Sequence, residues 1–175
     1  ALIDTSFLLL LLCATAREVF AGRNWRNLPA IIALLLLLIS NGLTHFEASG
    51  FLATRGMGHR LALGVLVCLI TLVGGRIIPS FTRNRLARQR AARAIAAAGP
   101  FDALVLALVP IALASWVIGA TGALQGALLI SAGLASVTRL SRWQGLAIWR
   151  DVLISALHLA VSYTHLRAHE TGRNL

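Results

Sequence analysis

Leu61-Ala-Leu-Gly-Val-Leu-Val-Cys-Leu-Ile-Thr-Leu-Val-Gly-Gly-Arg-Ile-Ile-Pro-Ser-Phe81 runs for 21 residues with a single charge, Arg76. A bilayer crossing needs about 20 apolar residues, so this stretch is long enough to span one. Its last third departs from an ordinary lipid-facing helix. A guanidinium inside hydrocarbon costs several kcal/mol unless it snorkels or is paired, on the order of ~3 kcal/mol by insertion scales. Gly74 and Gly75 permit a neighbour to approach the backbone closely, and Pro79 removes one main-chain hydrogen bond. The pattern therefore reads as a membrane helix built to contact something other than lipid.

The rest of the chain repeats the theme. It is 58% hydrophobic and 13% charged over 175 residues, where a soluble domain carries about a quarter charged residues. Six apolar segments are expected, at residues 2–16, 28–46, 61–81, 103–119, 123–138 and 146–161. The fold class is all-α, a polytopic transmembrane helical bundle. The opening Ala-Leu-Ile-Asp lacks an initiator Met and shows no signal peptide, so the chain reads as a fragment, with residues 1–161 a partial helical domain. Residues 162–175 break off the sixth segment with two arginines and a glutamate, and resemble adapter or vector read-through.

All sixteen basic residues are arginines and the net charge is +10. Their placement argues topology rather than nucleic acid. The first, third and fifth loops hold Arg17, Arg23 and Arg26; Arg83, Arg85, Arg88, Arg90 and Arg93; and Arg139, Arg142 and Arg150. The second holds only Arg55 and Arg60, and the fourth holds none. By the positive-inside rule, loops 17–27, 82–102 and 139–151 face the cytoplasm. Trp25, Trp116, Trp143 and Trp149 fall near helix ends, where indole N–H groups reach the headgroup zone. Residues 91–98, rich in Ala, suit a helix lying on the membrane surface.

Candidate chemistry is sparse. Cys13 and Cys68 lie mid-segment with no CxxC, as buried free thiols do. There is no Ser-His-Asp set, phosphate loop or CxxCH haem attachment, and nothing indicates a catalytic activity. Asp4, Asp102 and Asp151 sit at segment ends and suit helix-start capping. His45 lies at the outer end of the second segment, and is either a metal ligand or an interfacial histidine bonded to a neighbour. Glu47 and His59 read as solvated. His158 lies nine residues past Trp149, on the cytoplasmic side of the sixth segment, or ~13 Å into the membrane. An intramembrane ionisable residue is a functional candidate by default, the alternative being a satisfied core histidine. His165 and His169 have the i,i+4 spacing of a helical metal pair but belong to the foreign-looking tail.

The combination of Ala16-Arg17-Glu18, Ala21-Gly-Arg-Asn-Trp-Arg-Asn-Leu-Pro29, Gly74-Gly-Arg-Ile-Ile-Pro-Ser-Phe-Thr-Arg-Asn84, Pro100-Phe-Asp102, Arg139-Leu-x-Arg-Trp143 and Leu157-His-Leu159 resembles the NnrS family of bacterial inner-membrane proteins. These pieces spread over most of the chain. The resemblance implies a protein of about twelve helices, roughly twice this chain, that binds haem non-covalently and copper. It also implies a role in the response to nitric oxide, linked to denitrification. It makes His158 and His45 metal and haem candidates. Arg76 and Arg83 are added as cofactor-binding candidates, through bidentate contacts to haem propionates. Arg76 alternatively snorkels to lipid phosphate, and Arg83 caps its helix or fixes the adjoining loop. By helical rise His45 stands about 12 Å higher in the membrane than His158, so the two are not expected to share one iron. Two other functions fit the residues: a secondary transporter with an anion site at Arg76, or a non-catalytic membrane assembly subunit. The expected partners are the lipid bilayer, haem and nitric oxide, with no nucleic acid.

Overall fold

The computed structural model describes residues 2–88, 99–143, 156 and 159–164, without the side chains of Arg85 and Arg88. His158, Trp149, the helix expected at 91–98, most of the sixth segment and the His165/His169 pair lie outside the described residues. The described residues are all-α. Helix α1 spans Leu2–Ala21, a short 3-10 helix covers Trp25–Asn27, and α2 spans Leu28–Ala48. Then follow α3 at Met57–Arg88, α4 at Pro100–Val117 and α5 at Ala123–Ser141. Residues 159–164 are also helical.

Four stretches are long and apolar enough to cross a membrane: Trp25–Ala48, Met57–Asn84, Pro100–Val117 and Ala123–Ser141. Helix α1 has the length but continues past the expected end at residue 16, through Arg17 and Glu18. Charges do not stop a helix, and no breaker appears before Gly22, whose N–H bonds the Glu18 carbonyl at 3.0 Å. Asp4, Arg17 and Glu18 all fall on α1, and these three charges within 20 residues set it apart from the four spans. Only 11% to 33% of each span is buried within the chain. So much exposed apolar surface requires lipid or further protein around it.

Local chemistry explains where the elements begin and end. Pro29 sits in the first turn of α2, where a missing N–H costs nothing. Pro100 opens α4 in the same way, and Asp102 Oδ2 accepts the Gly99 N–H at 3.1 Å, one half of a capping box. Helices α4 and α5 are joined through Gly119 (φ 79°) and Gly122 (φ 100°), backbone states that a side chain resists. Helix α3, 32 residues long, passes through Pro79 without a break. Membrane helices tolerate such prolines when nearby groups satisfy the freed backbone. One turn on, Thr82 Oγ1 donates to the Ile78 carbonyl at 2.9 Å.

The chain divides into two compact units. The first is Ala1–Leu69 with Val117–Gly119. Here α1 packs along α2 as an antiparallel pair, with Thr5 Oγ1 donating to Asn41 Oδ1 at 3.0 Å. Ser40 Oγ donates to the Gly58 carbonyl at 2.7 Å. A methyl group on Gly58 would stand 2.9 Å from both the Ser40 carbonyl and the Thr44 nitrogen, so α3 starts in close contact with α2. Glu47 is not merely solvated. Its carboxylate accepts the Gly56 N–H at 3.0 Å and the Thr54 hydroxyl, gathering the loop between α2 and α3. His59 is exposed, as expected.

The second unit is Ile70–Trp116 with Ala120–Leu175. Its core includes Ile78, Val105, Val109, Ala112, Ala132, Trp143 and Val161. On α5 the buried positions Gln125, Ala132, Ser136 and Arg139 recur at helical spacing and are mostly polar. That stripe brings a charge into the core.

Candidate functional site

Two places concentrate polar groups among the described residues, one in each unit. In the first unit, Asp4 in the first turn of α1 faces His45 near the end of α2. Oδ2 of Asp4 stands 3.7 Å from Nε2 of His45, beyond hydrogen-bond range. The His45 side chain is 35% exposed, yet its Nε2 atom is shielded from solvent and has no hydrogen-bond partner. A shielded, unbonded imidazole nitrogen is costly to leave so, and keeps a lone pair for a metal. Among the described residues no three His, Cys, Asp or Glu side chains gather as a metal cage. Haem brings four nitrogens of its own and asks the protein for one or two axial ligands.

In the second unit the centre is Arg139, which the loop reading treated as a topology-setting cytoplasmic charge. Helix α5 instead runs on to Ser141, and Arg139 is 5% exposed inside the core. Its Nε donates to Asp102 Oδ1 at 2.9 Å, and Nη1 donates to the Thr71 carbonyl at 3.3 Å. Its Cζ lies 5.2 Å from the centre of the Trp143 ring, in cation–π contact. One side chain of α5 therefore holds α4 through Asp102 and α3 through Thr71. Asp102 caps α4 as expected, but it is also the counterion of a buried pair. Trp143 is 5% exposed, so its ring packs in this core just past the end of α5.

The neighbour that Gly75 admits is this same group. A Cβ on Gly75 would overlap the Arg139 Nη2 and stand 2.9 Å from Cζ and 3.0 Å from Nη1. A Cβ on Gly74 would press on Val161 at 3.2 Å. Thr71, Ser136, Arg139, Leu140, Trp143 and Val161 line a cavity of about 10 Å³, room for roughly one water. Arg142 lies over the Phe101 ring at 5.1 Å, on the same side as Asp102.

Arg76 and Arg83 are exposed on α3. Cys13 is exposed and Cys68 half-buried, each free. The sequence reading missed the Arg139–Asp102 pair. A signal was present in Gly75, whose only physical purpose is close approach, and in the arginine at the end of a small-residue stripe. Nothing in the linear order says which arginine comes to the glycine.

Residues 1–167 match the family model described as NnrS protein. No curated protein and no solved structure matches the chain.

Proposed function

The chain belongs to the NnrS protein family, and from that premise we propose that it is a haem- and copper-binding bacterial inner-membrane protein of the nitric oxide response, linked to denitrification. The observation that carries the reading is the His45 nitrogen, shielded from solvent and left without a hydrogen bond. Family membership and four membrane-length apolar helices support the setting. A bound haem would supply an iron centre able to take a diatomic gas or pass an electron.

In this reading His45 at the outer end of α2 would hold the haem through its imidazole, in the pair of helices that the Thr5–Asn41 bond ties together. Asp4 places a carboxylate 3.7 Å from the same Nε2, so it would lie beside the bound group. His158, outside the described residues, would supply the ligand of a second centre, and copper would draw on imidazole at one of the two. Arg76 and Arg83, both exposed on α3 toward its cytoplasmic end, would grip propionate carboxylates by their paired N–H groups. The test is the optical spectrum of the purified protein. A Soret band is expected, weakened in His45→Ala and in His158→Ala, with the midpoint potential shifted in Arg76→Ala. A protein loaded with haem precursor in the cell that shows no Soret band overturns the proposal.

A further inference from the structure

We propose that α3 carries a built-in hinge between Thr71 and Pro79, and that Arg139 is the latch that holds it as one continuous helix. Three features weaken α3 within a stretch of nine residues. Gly74 and Gly75 lack side chains to restrict the backbone, and Pro79 lacks the N–H that would bond the Gly75 carbonyl. A Pro ring also crowds the carbonyl four residues before it, which is again that of Gly75. Sharp kinks occur at such places. Here α3 remains helical throughout.

Arg139 lies against this stretch from α5. Its guanidinium occupies the space over Gly75 that any Cβ would fill, and its Nη1 donates to the Thr71 carbonyl, the acceptor one turn earlier. The other end of the fork is fixed by Asp102 Oδ1, itself tied to the start of α4 because Oδ2 holds the Gly99 N–H. Trp143 backs the charged plane. The latch needs the breadth of a guanidinium, because the acid and the carbonyl are reached by different nitrogens. Arg76 lies inside the hinge, between Gly75 and Pro79, so the latch also decides where its charge emerges. The hinge itself stands on geometry and does not depend on haem.

The experiment measures the distance between spin labels at Phe81→Cys on α3 and Leu104→Cys on α4, in the membrane-embedded protein with Cys13 and Cys68 replaced. Both label sites are exposed. The reference protein should give one narrow distance distribution. Arg139→Lys retains a charge for Asp102, so the fold survives, but one ammonium does not span both acceptors. Its distribution should broaden or split by about a helical turn, ~5 Å. Adding Pro79→Ala to Arg139→Lys restores the missing backbone bond and should narrow the distribution again. A narrow, unshifted distribution in Arg139→Lys overturns the latch. Broadening that persists with Pro79→Ala overturns the hinge.

Discussion

Replacing Gly75 with Ala is the sharpest test of how unit two is held together, because two effects of opposite sign act at one atom. In an isolated helix Ala is better than Gly by about 1 kcal/mol, so the substitution should stabilise α3. In the folded protein the new methyl would stand 2.9 Å from Cζ of Arg139 and closer still to Nη2. The arginine side chain is long, but its fork is fixed by Asp102 at 2.9 Å and by the Thr71 carbonyl at 3.3 Å. It therefore moves only by giving up at least one bond. Arg139 is 5% and Asp102 9% exposed, so little solvent reaches either charge. Separating a buried pair costs about 3–5 kcal/mol. The tertiary term wins, and Gly75→Ala should lose roughly 2–4 kcal/mol net. At roughly 2–4 °C per kcal/mol for a chain of this size, the midpoint should fall by about 5–15 °C. The assay is thermal unfolding in detergent followed by far-UV circular dichroism. Gly42→Ala and Gly126→Ala serve as controls, since a methyl at either meets open space. Both should be neutral or gain up to about 1 kcal/mol. If Gly75→Ala proves as stable as Gly126→Ala, Arg139 does not sit against α3 as described.

Two further outcomes concern the first unit. Gly58→Ala should destabilise by about 1–3 kcal/mol in the same assay, because the added methyl meets the Ser40 carbonyl and the Thr44 nitrogen, which are backbone and do not give way. Glu47→Gln should loosen the loop between α2 and α3 by about 1 kcal/mol, as a charged acceptor of the Gly56 N–H and Thr54 hydroxyl becomes neutral. Faster hydrogen exchange at the Gly56 amide with unchanged exchange in the middle of α2 is the expected reading, and identical exchange at Gly56 would falsify the clamp.

Hydropathy, loop charge and length already specify an all-α membrane protein, because burying backbone in hydrocarbon leaves the helix as the only local solution for a run such as 61–81. Helix ends were legible at Pro29, Gly119 and Gly122, since those residues act through their own backbone, whereas α4 starts at Pro100, three residues before the expected position. Ends were misplaced by a few residues at Arg17, Met57 and Arg139, where charged residues continue a helix as readily as they begin a loop. The motif at 74–84 showed that something approaches α3, and its residues alone determined that the visitor meets bare backbone. Tertiary structure decided which group it is. Arg139 and Asp102 are 37 residues apart, and Arg139 and Thr71 are 68 apart. In sequence each looks like a topology signal, a cap and an ordinary span residue. They become one centre only because three helices cross where Gly75 leaves room for a guanidinium, and in a dry core a charge takes whichever partners the packing places beside it.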